Sequence, residues 1–205
     1  MSTHNEIFPI EQAKLLPIVR LFHKNFGLVG GTAIALQIGH RQSLDFDMFS
    51  LREFSNTKIK KLLTDSKTKI SKVYKDEKGQ FTFLVNNVQF TFFHYPFNIS
   101  FPVKWEAGTM PSLLTLAAMK AYALGRRAKW KDYVDLYFII KNHYSFEEVK
   151  AEAKKIFKGE FNERIFRESL SYFEDISYAE PVTFLPGQAV PEKTIKRELI
   201  KFSVK

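Results

Sequence analysis

The sequence predicts an α+β fold: a small mixed sheet with flanking helices, followed by a helical C-terminal half. Three observations carry this prediction. Apolar and polar residues alternate through "LDFDMFS" and again through "QFTFLVNNVQFTFFHYPF", which is the period of strands. From Ser112 onward, apolar residues recur at helical spacing in stretches separated by turn residues. The 205 residues are enough to bury one core with an appended helical part, without disulfide staples.

The first helix is expected from Ile10 to Phe26, with Leu15, Leu16, Val19 and Phe22 on one side. Gly27 ends it, Leu28 and Val29 begin a short strand or turn, and the Gly30-Gly31 pair opens a helix from Thr32 to Ile38. In "LDFDMFS", Leu44, Phe46 and Met48 oppose Asp45, Asp47 and Phe49. A helix follows from Asn56 to Ser66, within a lysine-rich region that reaches Lys78. Asn86-Asn87 reads as a two-residue hairpin turn between two strands, because Asn tolerates positive φ. From Phe97 to Met110 the chain is expected to be irregular; a core over residues 1–105 and a helical region over 106–205 packing on it meet there, as two domains or as one integrated domain. Helices are expected from Ser112 to Arg127, Trp130 to Asn142, Ser145 to Phe157, through "NERIFRESLSYFEDI", and from Glu192 to Phe202. Ser145 with Glu148 three residues on is an N-terminal capping signature.

Composition narrows the function. Without Cys there are no disulfides or thiolate metal sites, as fits a reducing cytoplasm. The N-terminus lacks the apolar core of a signal peptide, and no apolar run is long enough to span a bilayer, so a cytoplasmic protein with no membrane partner is expected. A net charge of +9, from 31 basic and 22 acidic residues, points to a polyanionic partner, nucleotide or nucleic acid. The 21 Phe residues read mainly as core.

Two acids one residue apart on a strand share a face, so Asp45 and Asp47 repel each other unless a cation lies between them. A hard divalent metal such as Mg²⁺, or Mn²⁺, takes such carboxylates together with substrate phosphates. The Gly30-Gly31 pair lets backbone amides approach an anion at a helix N-terminus, and Thr32 adds a hydroxyl. Arg41 and Ser43 lie just before the acids, with Ser43 read as touching a phosphate or a carboxylate. Further on, Lys120 and Arg127 are seven residues apart and share a helix face, where a point charge and a planar fork can neutralise a triphosphate. Asp132 and Asp135 are spaced so that one orients Lys120 or Arg127 while the other faces a ribose or base.

These residues carry a resemblance. Val29-Gly30-Gly31, thirteen residues, then Asp45-Phe46-Asp47 resembles the signature of the DNA-polymerase-β-like nucleotidyltransferase superfamily. More narrowly, "GGTAIALQIGHRQSLDFDMF" resembles the AbiEii/AbiGii-toxin-type nucleotidyltransferases, and "KAYALGRRAKWKDYVDLYFI" is similar to that family's second block through Lys120, Arg127, Asp132 and Asp135-Leu136. "LSYFEDISYAEP" also has the family's look. The resemblance implies a nucleotidyltransferase-like core and Mg²⁺-dependent transfer of NMP from an NTP to an acceptor hydroxyl. The acceptor it implies is RNA such as tRNA, and the protein would be the toxin of a pair with a cognate antitoxin. It implies catalytic roles for Asp45, Asp47, Lys120 and Asp132, and nucleotide contacts from Gly30, Gly31, Thr32, Arg41, Ser43, Arg127 and Asp135.

The sequence departs from that pattern at one position. The superfamily's third carboxylate, on a neighbouring strand, completes a two-metal site. Here the matching strand is "NNVQFTFFHYPF", the matching residue is Thr91, and no acid occurs from Phe81 to Val103. Two readings follow: an enzyme that works with one well-held metal or with help from Asp132 or Asp135, or a degenerate nucleotide- or RNA-binding protein of the same fold.

Overall fold

Pro17 decides how the chain begins. In the computed structural model, which describes residues 3–204, the helix expected over residues 10–26 is two helices, α1 (Ile10–Ala13) and α2 (Leu16–Phe22). Pro17 lacks an N–H and its ring collides with the carbonyl four residues back, so the helix must restart just before it. β1 (Gly27–Val29) leads directly into α3 (Gly30–Ile38), which ends at Gly39 with φ 61°, the left-handed C-terminal stop. α3 is buried from Thr32 to Gln37 on every side, as the run "TAIALQ" permits. Its one buried amide is satisfied, since Gln37 donates to the Pro111 carbonyl at 3.0 Å.

β2 (Phe46–Ser50) begins one residue after Asp45. Phe46 and Met48 are buried as the alternation requires, but Leu44 is 58% exposed. Leu44 precedes the ladder that fixes the pleat, so the alternation does not extend back to it. α4 (Asn56–Asp65) is followed by β3 (Lys72–Glu77), β4 (Gln80–Val85) and β5 (Val88–His94). Asn86 and Asn87 have φ of 49° and 63°, the turn expected between β4 and β5. The five strands run in the order β1-β2-β5-β4-β3, with β2 and β5 parallel and the other neighbours antiparallel. One face of the sheet is a phenylalanine core: Phe83 stacks on Phe90 and Phe92, with centroids 5.6 and 5.9 Å away, and Phe22 and Phe26 meet Phe92 edge-on.

Two elements lie where no strand was expected. β3 is an exposed edge strand reading "KVYKDE", with a register shift at Tyr74. Charges and bulges are what keep an edge from pairing with another chain, and they also hide its alternation. β6 (Val103–Trp105) and β7 (Gly108–Met110) form a small hairpin in the segment expected to be irregular. The chain divides into the compact units Met1–Ser112 and Leu113–Lys205, with the hairpin in the first.

The second unit holds α5 (Leu113–Leu124), α6 (Trp130–Asn142), α7 (Phe146–Phe157), α8 (Glu163–Ser171) and α9 (Glu192–Ser203). α5 stops at Leu124, three residues short of the expected Arg127, where Gly125 follows. The capping box at α7 is formed: the Ser145 hydroxyl accepts from the Glu148 amide at 3.2 Å, and the Glu148 carboxylate accepts from the Ser145 amide at 2.7 Å. α6 is buried nearly all round, with Tyr133, Val134, Leu136, Tyr137 and Ile139 within it. Among the described residues no helix is long and apolar enough to cross a membrane. The α+β architecture is the one the sequence predicts.

Candidate active site

The expected site residues form two clusters, one in each unit. In the N-terminal unit the cluster grows around the step from β1 into α3. Gly30 has φ +70°, and a Cβ there would lie 3.3 Å from Asp47 Cγ and closer still to Oδ2. The backbone at Gly30 is thus packed directly on the Asp47 carboxylate, and no side chain fits between them. A Cβ at Gly31 would lie 3.4 Å from both Arg41 Cζ and Ser43 Oγ. The glycine pair therefore has an acid against one residue, and a cation and a hydroxyl against the next. The first amides of α3 have no partner within the helix, which makes this helix end a seat for an anion.

Thr32 ties these pieces together. Its hydroxyl donates to the Asp45 carbonyl and lies 2.8 Å from the Ser43 hydroxyl. Arg41, Ser43 and Thr32 are buried, and Arg41 also donates to the Gln42 carbonyl at 2.9 Å. Asp45 and Asp47 are half-buried. His40 is fully buried.

The register of β2 on β5 puts Thr91 beside Asp47, and Thr82 of β4 beside Thr91 on the other side. Hydroxyls, not carboxylates, continue the row away from Asp47. No group of three or more His, Asp or Glu able to hold a metal is found among the described residues. Two carboxylates nevertheless fit Mg²⁺, which keeps several waters and completes its octahedron with substrate phosphates. Asp45 and Asp47 are the residues that would hold it.

In the C-terminal unit, Lys120 of α5 and Asp132 and Asp135 of α6 form a buried ion triad. Lys120 is 5% exposed and both acids are 0% exposed. Its ammonium donates to Asp132 and lies 2.9 Å from Asp135 Oδ2. Arg127 lies beyond the end of α5, so it does not share a helical face with Lys120 as expected; the two converge through Asp132, whose second oxygen accepts from Arg127 Nε at 3.2 Å. Burial pushes the Asp132 carboxyl up, but the charges of Lys120 and Arg127 and the Lys120 hydrogen bond outweigh it and hold the group below the usual carboxylate range. Lys120 is thus the hub of a buried network, and half-exposed Arg127 is its outlet to solvent.

The connection from α5 to α6 is pinned by the "SYAE" stretch. The Ser177 amide donates to the Ala128 carbonyl at 2.7 Å, and the Trp130 amide to the Ser177 carbonyl at 3.0 Å. Glu180 pairs with both Lys129 and Lys131. Burial raises the Glu180 carboxyl, but the two lysines override it and draw it down to about 2. Glu180 and Thr82 were not among the expected site residues. Glu180 stands in the "LSYFEDISYAEP" run that carries the resemblance, which is the signal that marks it.

These depressed carboxyls set a pH dependence. A carboxyl whose folded pKa lies below its unfolded value, roughly 4 for Asp and Glu, stabilises the fold above that value and loses its contribution as pH falls through the folded pKa. The melting temperature should therefore fall between about pH 5 and pH 2. Calorimetry across that range should show a shallower acid decline for Glu180→Gln than for the unaltered chain.

A glycine pair packed on a carboxylate, a second carboxylate two positions away and a helix N-terminus stand together at the step from β1 into α3. The family model described as nucleotidyl transferase AbiEii toxin, type IV toxin–antitoxin system, matches residues 18–183. The chain belongs to this family. The protein aq_aa25 of Aquifex aeolicus (strain VF5) is 32% identical over 161 residues, covering 74% of this chain and 75% of that protein. Two solved structures share the fold at low identity. JHP933 from Helicobacter pylori matches with a TM-score of 0.60 and 16% identity, over 99% of this chain and 92% of that one. MenT4, a nucleotidyltransferase toxin from Mycobacterium tuberculosis H37Rv, matches with a TM-score of 0.59 and 13% identity, over 95% and 83%.

Proposed function

We infer that this nucleotidyltransferase moves NMP from an NTP to an acceptor hydroxyl of RNA, with tRNA the leading acceptor, and that it is the toxin partner of a cognate antitoxin. The observation that carries the reading is the packing of the Asp47 carboxylate on the Gly30 backbone at the open end of α3. This brings an acid and a phosphate seat to one place. In the reaction the acceptor oxygen bonds to the α-phosphorus, the bond to the bridging oxygen breaks, and pyrophosphate leaves. The Gly30 and Gly31 amides, the Thr32 and Ser43 hydroxyls and the Arg41 guanidinium hold phosphate oxygens. Asp45 and Asp47 hold Mg²⁺, which supplies charge neutralisation and polarisation of a phosphoryl oxygen when bound. In the C-terminal unit Arg127 offers its fork to an anion, Asp132 orients it through Nε, and Lys120 keeps Asp132 ionised against burial and the charge of Asp135. The net charge of +9 suits an RNA acceptor.

The test is a transfer assay with Mg²⁺, each α-labelled NTP in turn, and total tRNA. Label is expected to pass to RNA from one preferred NTP, and a Thr91→Asp variant, which adds a carboxylate beside Asp47, is expected to change the rate no more than severalfold. A protein that binds NTP and RNA but transfers nothing, and gains transfer only as Thr91→Asp, would establish the degenerate reading that Thr91 raises.

A further inference from the structure

A cleft in the N-terminal unit lies one step along β2 from the acids. Asp47 pairs with Val29, and two residues further on Phe49 pairs with Gly27. Residues two apart on a strand share a face and are separated by about 7 Å, so Phe49 is the next side chain on the Asp47 side of the sheet. At this Gly27–Phe49 row a cleft of about 730 Å³ opens, walled by Phe49, Phe54 and Phe101 and rimmed by Lys24, Arg52 and Lys58.

We propose that this cleft binds the single-stranded end of the acceptor RNA, with bases on the phenylalanine rings and phosphates on the three cations. The proposal rests on the nucleotidyltransferase reading for the role of that strand, but not for its binding. Three observations support it. First, Lys24, Arg52 and Lys58 are exposed and make no ion pair among the described residues, whereas Lys129, Lys131, Lys150, Lys154, Arg164 and Arg167 of the other unit are all paired. The one carboxylate in the lining, Glu53, pairs with Lys78 at 3.1 Å, so the three cations outnumber it on the rim. A rim of that kind attracts a polyanion.

Second, the walls offer ring surface in place of a hydrogen-bonding code. Phe101 lies directly over Gly27, where a Cβ would come within 2.8 Å of its Cγ, and it stacks on no other ring among the described residues. Half-exposed rings beside unpaired cations form a platform for stacking bases of any sequence, whereas an acidic polypeptide would use the cations and leave the exposed ring faces uncovered. Third, the spacing along β2 brings a strand lodged in the cleft within reach of Asp47.

Fluorescence anisotropy with a labelled single-stranded RNA dodecamer, without metal or NTP, tests the binding. Arg52→Glu/Lys58→Glu should weaken binding at least tenfold and flatten the dependence of log Kd on log salt by about 1.4, at about 0.7 per phosphate contact. Phe101→Ala should weaken it roughly tenfold. Lys69→Glu/Lys193→Glu, which changes the net charge equally at exposed positions outside the cleft, should have an effect of twofold or less. Equal losses in both charge-reversal variants, or unchanged binding in Arg52→Glu/Lys58→Glu, would overturn the proposal. Equally tight, variant-sensitive binding of a labelled poly-glutamate would overturn it in favour of an acidic protein partner. Transfer assays run in parallel separate the two inferences: cleft-dependent RNA binding without any label transfer sinks the catalytic reading and leaves the cleft standing, while transfer to RNA that is indifferent to these variants does the reverse.

Discussion

Lys120→Met is expected to destabilise the C-terminal unit by about 3–5 kcal/mol, the cost of stranding buried charge. Asp132 and Asp135 are both 0% exposed, and the Lys120 ammonium contacts each of them. Without it, Arg127 at the edge of the cluster still pairs with Asp132. Burial and mutual repulsion then raise their pKa values, so the variant's deficit should be largest at pH 8 and shrink toward pH 5 as they protonate. Adding Asp132→Asn and Asp135→Asn to Lys120→Met removes the stranded charge and should recover part of the loss. Urea denaturation at the two pH values measures all of this. A loss of less than about 1 kcal/mol at pH 8, the range of exposed ion pairs, would mean that the triad is not the buried network described.

Asp45→Ala and Asp47→Ala should each lower kcat/KM for NMP transfer by at least about a thousandfold, since in the proposed reaction each removes a carboxylate that would hold the metal stabilising charge at the phosphorus. Stability should move little, by about 1 kcal/mol or less, because both side chains are half-exposed. Asp45→Ala also keeps the backbone carbonyl that receives the Thr32 hydroxyl, so the tie between α3 and the acidic segment survives. The contrast with Lys120 is diagnostic: one pair of variants loses turnover in a folded protein, and the other variant loses the fold. Rates within tenfold of the unaltered enzyme for both aspartates would remove them from the reaction.

Much of the fold was legible wherever a local signal settled the local structure. The Asn86-Asn87 turn, the α7 capping box and α6 are fixed by residues within a few positions of one another. Pro17 splits the first helix despite its apolar stripe, because the missing N–H and the ring clash override periodicity. β3 and the β6–β7 hairpin were not legible, since an exposed edge carries charge in place of alternation and three-residue strands are too short to show any. For the site, the two acids and the glycines could be named from their spacing, but the packing of Gly30 on Asp47 could not. Nor could the burial of Lys120 between Asp132 and Asp135, because spacing along a helix does not say how deep a residue lies.

The parallel pairing of β2 with β5 also fixes when the sheet around the acidic cluster can close. β4 and β5 close locally through Asn86-Asn87, an event of microseconds. Asp47 and Thr91, by contrast, become neighbours only after α4, β3 and β4 have been made and the long loop between them has closed, the slower, entropy-limited kind of step. A growing chain on the ribosome that has released β2 but not β5 therefore has the β1–β2 pairing of the glycine step with the aspartates, but not yet the parallel neighbour of β2. The sheet around the acids is completed only once synthesis has passed His94.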